Sequence, residues 1–178
     1  EAQTLFIMNS EQLDSNGKLR FFTKNQFVFP EFYGSYWKSC AKNLWENCLD
    51  IETGDNITVY EHLQNVLFRG YPKAQWYTVF ENHIKKQEEQ FWNKYHVFKE
   101  WQLKTMHDYQ KNGYIQFHTG YQCSELLNRN QLFNTAIQGT AFHCLLWSFT
   151  KLNTYAKRKQ WPSKLIAQIH DEIIWDLR

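Results

Sequence analysis

The chain has no strong charge of either sign. Its 20 Lys and Arg residues stand against 18 Asp and Glu, a formal net charge of +2. That balance gives no global sign of a nucleic-acid coat, although a local basic or aromatic groove remains open. No stretch approaches the run of about 20 apolar residues that crosses a bilayer, and no signal-peptide pattern stands at the amino end. A membrane partner is therefore not expected. The four cysteines, Cys40, Cys48, Cys123 and Cys144, form no CxxC pair. A zinc ribbon or disulfide framework is thus not indicated, and the thiols read as reduced and mostly buried in a cytoplasmic protein. Internal repeats and low-complexity tracts are also missing. The chain opens on Glu1 instead of Met and stops at Arg178 just past an apparent strand. The expectation is a piece of a longer protein.

What is present is apolar and aromatic. The 178 residues are 43% hydrophobic, enough for one domain with a core. Eight Trp, ten Tyr and fourteen Phe supply area to bury or to stack on flat ligands. Periodicity and turn residues predict a helix from Lys18 to Tyr33, a second from Tyr36 to Trp45 and a third from Val59 to Arg69. A long helix is predicted over 75–112, with a bend at His96 and Gly113 as its stop. Tyr114 to Thr119 alternates like a strand that turns at Gly120, and Asn130 to Tyr155 reads as a further helix. The last stretch, Leu165 to Leu177, has apolar runs on both sides of His170-Asp171-Glu172 and reads as a β-hairpin with an acidic tip. The expected fold class is α+β, mostly helical with a small antiparallel sheet. Glu1 to Asn9 is expected to be a short mixed segment and Ser10 to Gly17 a turn.

Three constellations carry chemistry. Arg20 and Lys24 are four apart and share a helix face. Such a pair suits a polyphosphate, Arg by forking onto oxygens and Lys as a mobile point charge. Phe27, Val28 and Phe29 follow, then Tyr33 and Gly34. Asn134 and Gln138 are also four apart, and amides so placed can donate to the acceptors that every base pair offers in the minor groove. Gly139-Thr140, inside an apolar helix, indicates close approach by a partner element. At the hairpin tip, Asp171 offers a carboxylate for a divalent metal. Each feature also has a plain structural reading: a solvated basic stripe, a capping Asn134, a polar turn.

Together the three segments resemble family A DNA polymerases, the bacterial DNA polymerase I type, and especially their phage relatives. Arg20-Phe-Phe-Thr-Lys24-Asn-Gln-Phe-Val-Phe-Pro-Glu-Phe-Tyr33-Gly34 is similar to the family's fingers motif R-x3-K-x7-Y-G. Asn134-Thr-Ala-Ile-Gln138-Gly-Thr-Ala141 is similar to N-x-P-x-Q-G-T-A, and Gln168-Ile-His-Asp-Glu172 to the palm hairpin Q-V-H-D-E. The order and approximate spacing agree as well. The resemblance implies a fingers subdomain over 1–112, with its nucleotide-binding helix at about 18–33, and a palm portion over 113–178. It implies that Arg20 and Lys24 bind the phosphates of a deoxynucleoside triphosphate and that Tyr33 and Gly34 close the helix beside the templating base. Phe29 would pack on the sugar and base. Asn134 and Gln138 would face the primer–template minor groove. Asp171 would be a metal ligand for Mg2+, two ions serving the complete enzyme, with Glu172 beside the metals and His170 near the primer terminus. Asp171, Lys24, His170 and Glu172 are the catalytic candidates.

The departures from the pattern are specific. Lys24 to Tyr33 holds one residue more than the family motif. The stacking position is therefore Phe29 counted back from Tyr33 or Val28 counted forward from Lys24, and only Phe29 can stack. Pro30 stands inside the same helix, where it removes a hydrogen bond to the Gln26 carbonyl and would clash with it. An extra residue and a proline together predict a π-bulge or kink that keeps both ends in phase, whereas a straight α-helix would contradict it. Ala136 replaces the family's Pro. Asn130 stands where the family often has an Arg on DNA, a contact that neighbouring Arg129 could supply. No D-Y-S-x-x-E motif with a second metal carboxylate precedes Arg20, where Asp14 is the only nearby acid with any claim. Upstream palm and thumb segments, in this chain's parent or in a companion chain, are the implied missing partners. The expected function is template-directed DNA synthesis by a fragment inactive alone. The alternatives are a helical nucleic-acid-binding module without catalysis, an assembly protein, or a relative of the single-subunit RNA polymerases.

Overall fold

Leu19, Phe27, Leu44, Leu63, Phe80 and Ile84 lose all contact with solvent, and the helices that carry them explain most of the fold's first part. A computed structural model describes every residue of the chain except Asp14, Ser15, His170, Asp171 and Arg178. The chain divides into two units, Glu1–Leu103 and Lys104–Arg178. Its elements are helices with two small two-stranded antiparallel sheets, an α+β arrangement.

In the first unit, α1 (Ala2–Phe6) occupies the segment expected to be irregular. Leu5 and Phe6 are fully buried, and that burial outweighs a weak local helix signal. Next come α2 (Lys18–Thr23), a π turn (Lys24–Val28) and α3 (Phe29–Phe32). The expected break in α-geometry is there. The Phe29 N–H bonds to the Lys24 carbonyl, five residues back, so the turn holds one residue more than an α-turn. Pro30 then falls in the first turn of α3, where a missing N–H costs little. Helix α3 closes through Gly34, whose N–H reaches the Glu31 carbonyl at 3.1 Å while Ser35 N–H reaches Pro30 at 2.7 Å. This paired closure needs a left-handed residue, and Gly34 supplies it at φ 93°.

Helix α4 (Trp37–Cys48) packs against α6 (Trp76–Lys94) at the centre of the unit. Between them in sequence, α5 (Val59–Val66) is started by a reciprocal cap. Glu61 N–H donates to Thr58 Oγ1 at 3.2 Å, and Thr58 N–H donates to Glu61 Oε2 at 2.8 Å. The helix ends at Val66, three residues before the expected Arg69. The long helix expected over 75–112 is two helices, α6 and α7 (His96–Asn112), interrupted at Tyr95 with φ −108° and ψ 36°. The interruption turns Tyr95 towards Phe91, with ring centroids 4.7 Å apart. The aromatic stripe of α6 is core: Trp76, Phe80 and Phe91 are buried.

In the second unit, β1 (Ile115–Gln116) pairs with β2 (Gln122–Cys123), Ile115 opposite Cys123. The strand expected over Tyr114 to Thr119 is thus only two residues long, because the chain turns back at Gly120 (φ 88°). Helix α8 (Arg129–Arg158) begins at Asn128, whose side chain accepts the Gln131 N–H at 2.9 Å in a second reciprocal cap. Asn134 is consequently one and a half turns inside the helix and caps nothing. The Phe117 ring lies against α8 at Gly139: a Cβ there would meet the ring, 2.6 Å from Cε2. The close approach expected at Gly139 is therefore real. Strands β3 (Lys164–Ile169) and β4 (Glu172–Asp176) form the terminal hairpin, Leu165 opposite Trp175 and Ile169 opposite Glu172, with an irregularity at Ile166.

The end of α3 is held from behind by side chains far away in sequence. Glu31 is fully buried; its carboxylate accepts the Trp92 Nε1–H at 3.0 Å, and Cys40 Sγ lies 3.4 Å away. Gln102 Nε2 donates to the Phe32 carbonyl at 2.8 Å and to that of Glu31 at 3.3 Å. The Phe32 ring is surrounded by Phe91, Tyr95 and Phe98, with centroids 5.2, 5.4 and 4.8 Å away. Burial, followed by the charge of nearby Glu88, raises the Glu31 carboxyl to about 8. Burial also raises the Cys48 thiol to about 12, so that thiol stays protonated and inert.

Two outcomes follow for stability. The folded chain keeps the Glu31 proton up to about pH 8, whereas the unfolded chain releases it near 4.5. Between those values the unfolded state binds fewer protons, so stability falls as pH rises and levels off above pH 8. The fall amounts to a few kcal/mol at roughly 1.4 kcal/mol per pH unit. Glu31→Gln flattens it, as read from urea midpoints at pH 5, 7 and 9; an equally steep fall in the variant refutes the assignment. Separately, Gly139→Ala destabilises by about 1–3 kcal/mol through overpacking. Phe117→Leu in the same chain recovers part of that loss in urea unfolding, and strict additivity of the two changes would contradict the contact.

Candidate functional site

One candidate surface lies on α2, the π turn and α3, within the first unit. Thr23 and Phe27 are buried there, so the opposite side of the helix is left for solvent. Arg20 and Lys24 are both exposed, and the Lys24 N–H bonds to the Arg20 carbonyl, which sets the two cations one turn apart. The Lys24 ammonium sits 5.1 Å from the centroid of the Phe29 ring. Phe29 in turn meets Tyr33 edge to face at 6.3 Å. Lys24, Phe29 and Tyr33 thus form one continuous row. Phe29 is 42% exposed, whereas Val28 is packed against the core. Between the two residues left open by the sequence, the one beside Lys24 is Phe29. A cation row leading to an exposed ring, Phe29, and a half-buried one, Tyr33, can hold a polyphosphate at one end and a flat base at the other. Gly34 is buried where the row ends.

The second candidate surface lies on α8, within the second unit. Asn134 and Gln138 are exposed and line an open depression of about 340 Å³. Its other walls include Phe117, Gly139, Phe142 and His143. The amides are one turn apart with apolar walls beneath, a shape that lets both donate to a ligand resting on the helix. Arg129, one turn before Phe133, is exposed and places its guanidinium 5.8 Å from the Phe133 ring. Asn130 is exposed beside it. The His143 Nδ1 is 2.9 Å from Thr119 Oγ1, and the imidazole packs on Tyr121 and Phe117 at 4.8 and 5.3 Å. His143 and Thr119 were missed by the sequence reasoning. The signal was available for His143, since it follows Gly139 by one turn and must share its face.

The third constellation is only partly described. His170, Asp171 and Asp14 lie outside the described residues. Glu172 is the first residue of β4 and is exposed. Among the described residues no three Asp, Glu, His or Cys side chains gather as metal ligands. Also missed in the sequence were Glu31, Trp92 and Gln102, which fasten the back of the first surface; their separations of 61 and 71 residues leave no local trace.

No family model matches the chain, and no curated protein matches it. Among solved structures, the chain is similar to the POL domain of Pol1 from M. smegmatis in complex with DNA primer–template and dNTP. The TM-score is 0.53 at 16% identity, over 99% of this chain and 27% of that one. At that identity the likeness is one of fold. The chain spans about a quarter of the length of the solved chain it matches, and its fold resembles part of that domain.

Proposed function

We propose that the chain is the nucleotide-binding and minor-groove-reading part of a family A DNA polymerase of phage-like type, with fingers over 1–112 and a palm portion over 113–178. The observation that carries this reading is the π turn. The sequence has one residue too many between Lys24 and Tyr33 for the family motif, and the turn absorbs it, leaving Lys24, Phe29 and Tyr33 in one row. The fold likeness to a polymerase domain supports the same reading.

In this reading Arg20 and Lys24 grip the phosphates of the incoming deoxynucleoside triphosphate, and Lys24 offsets charge on the departing pyrophosphate. The Lys24 ammonium exchanges its place over the Phe29 ring for the phosphates, which frees the ring to pack on the sugar and base. Tyr33 lies beside the templating base, with Gly34 giving it room. Asn134 and Gln138 donate to minor-groove acceptors common to all four base pairs, so they test pair shape without reading sequence. Arg129 contacts the DNA backbone, and His170 the primer terminus. Asp171, with Glu172 beside it, would contribute to holding divalent metal, Mg2+ by the resemblance, which in the complete enzyme would supply positive charge for phosphoryl transfer. No catalytic step is assigned to this chain alone, because its sequence carries one of the two carboxylate motifs that the reaction uses.

Lys24→Ala weakens binding of a fluorescent deoxynucleoside triphosphate at least tenfold, about 1.4 kcal/mol or more. Phe29→Ala weakens it several-fold, and Val28→Ala leaves it within twofold. Equal effects of the two ring-position variants contradict the row. Gln138→Ala and Asn134→Ala lower duplex affinity alike for unrelated sequences in fluorescence anisotropy.

Primer extension with Mg2+ gives no product from the purified chain and gives product when a polypeptide supplying the absent palm carboxylate is added. Extension by the chain alone would overturn the expected inactivity. DNA binding that ignores both Mg2+ and Asp171→Asn, together with no nucleotide binding, would instead identify a non-catalytic nucleic-acid-binding module.

A further inference from the structure

Glu31 lies midway between the two rings of the cation–ring row. Phe29 opens α3, Tyr33 caps it, and Glu31 is two residues from each on a helix of four residues. It faces the other way: Phe29 is 42% exposed, and Glu31 is fully buried.

Three helices are fastened to this one residue. From α4, Cys40 Sγ lies 3.4 Å from Glu31 Oε1. From α6, the Trp92 Nε1–H donates to Oε2 at 3.0 Å, and the Glu88 side chain shares a hydrogen bond with the same carboxyl. Glu88 in turn accepts the Trp37 N–H at 2.9 Å, at the start of α4. From α7, Gln102 Nε2 donates to the Glu31 carbonyl at 3.3 Å. That carbonyl also accepts the Gly34 N–H that closes α3. The neighbours that carry the row are thus held in place through Glu31.

The proton on Glu31 decides whether this fastening holds. A hydrogen bond between two carboxyl groups needs a proton on one of them. With Glu31 protonated, its O–H donates to Glu88 while Trp92 and Cys40 donate to its oxygens. Without that proton, two carboxylates face each other in a desolvated place and repel. Burial, and then the Glu88 charge, raises the Glu31 carboxyl to about 8. The Cys40 thiol is pushed up as well, by burial and by Glu31, so it adds no charge in this range. Two cations are in the vicinity, Lys99 over the Trp92 ring at 4.1 Å and Lys85 over the Trp37 ring at 5.7 Å. The upward shift shows that burial and Glu88 outweigh them. Tyr95 packs on Phe32 instead. Relief for an ionised Glu31 lies towards water, and turning α3 to reach it carries Phe29 and Tyr33 along.

We propose that Glu31 is a positioning residue for the row: its protonated carboxyl holds α3 against α4 and α6 so that Phe29 and Tyr33 stay in line with Lys24, and loss of the proton weakens binding of a deoxynucleoside triphosphate. The inference rests on the assignment of the row to nucleotide binding. Nucleotide then favours the protonated form, so affinity is full below about pH 8 and falls as pH rises above it. By reciprocity, binding on the alkaline side takes up a proton.

The test titrates the full chain with a fluorescent deoxynucleoside triphosphate across pH 6.5 to 9.5, read by anisotropy. Wild-type affinity falls about tenfold between pH 7 and pH 9, where roughly one molecule in ten keeps the proton. Glu31→Gln keeps an acceptor for Trp92 and carries no charge. It gives one affinity across the range, which also controls for ionisation of the ligand. Glu88→Gln removes a charge that helps to hold the proton, so the fall begins at lower pH. Calorimetry at pH 8.5 in two buffers of different ionisation enthalpy reads proton uptake on binding by the wild type and none by Glu31→Gln. Circular dichroism shows both chains folded at pH 9. An affinity that stays level in the wild type, or that falls equally in Glu31→Gln, overturns the proposal and leaves the nucleotide reading intact; so does global unfolding at pH 9. Absence of nucleotide binding at pH 7 overturns both.

Discussion

The hydrogen bond from the Phe29 N–H to the Lys24 carbonyl sets the phase of everything around it. One extra residue in an α-helix rotates all that follows by about 100°. In a straight helix that rotation would carry Phe29 and Tyr33 away from the cations, or carry Phe27 and Glu31 out of the core. The π turn spreads the excess over five residues, so the buried side and the exposed side are both kept. Pro30 favours this solution, since it cannot donate within an α-helix and would press on the Gln26 carbonyl. The widened turn relieves both problems at once. The proline that looks disruptive in the sequence is thus part of the reason the surface forms.

A bulged helix of this length has few hydrogen bonds of its own to hold it, and the anchoring comes from elsewhere. Gln102 takes up two carbonyls at the end of α3, Trp92 donates to the Glu31 carboxyl, and Phe32 is enclosed by rings of α6 and α7. A buried acid is an unusual anchor. In its neutral form it costs little and still accepts a hydrogen bond from Trp92, but ionised it would face the like charge of Glu88. An apolar side chain at the same place would pack as well and would leave the Trp92 N–H buried without its acceptor. The acid therefore trades stability at high pH for a fixed direction of approach between α3 and α6.

What was legible in the sequence was what depends on neighbours along the chain. Lys24, Phe29 and Tyr33 belong to one short segment, so its resemblance to the family motif, with one residue too many and Pro30 inside it, exposed both the row and the strain that the π turn resolves. Gly139, set in an apolar helix, likewise announced a close approach, although nothing local named Phe117 as the group approaching. The boundaries failed where tertiary burial or a competing cap decided. α1 exists because Leu5 and Phe6 are enclosed, and α8 starts after Asn128 because Gln131 completes its cap; the bend expected at His96 is present one residue earlier, at Tyr95, where it separates two helices. The anchors of α3 were illegible for the same reason, being contacts between residues 61 to 71 apart. The hairpin was readable from its two apolar runs, but not its register or which of its faces is covered.

The two candidate surfaces also differ in what supports them. The cation–ring row rests on a unit whose core is filled by its own helices, so its geometry is set by residues 1–103. The amide pair on α8 rests on a helix that is fixed locally by Phe117 against Gly139 and by the Asn128 cap, and that exposes both apolar side chains (Leu146, Trp147, Leu152, Tyr155) and cations (Lys151, Lys157, Arg158) along its second half. A donor pair reads shape only if the helix beneath it resists displacement, since a loose amide forms its hydrogen bond with good and bad geometry alike. Rigidity near Asn134 and Gln138 is therefore supplied at the amino end of α8. In the proposed reading, selectivity at the first surface is a property of the segment itself, and selectivity at the second depends on how firmly α8 is held.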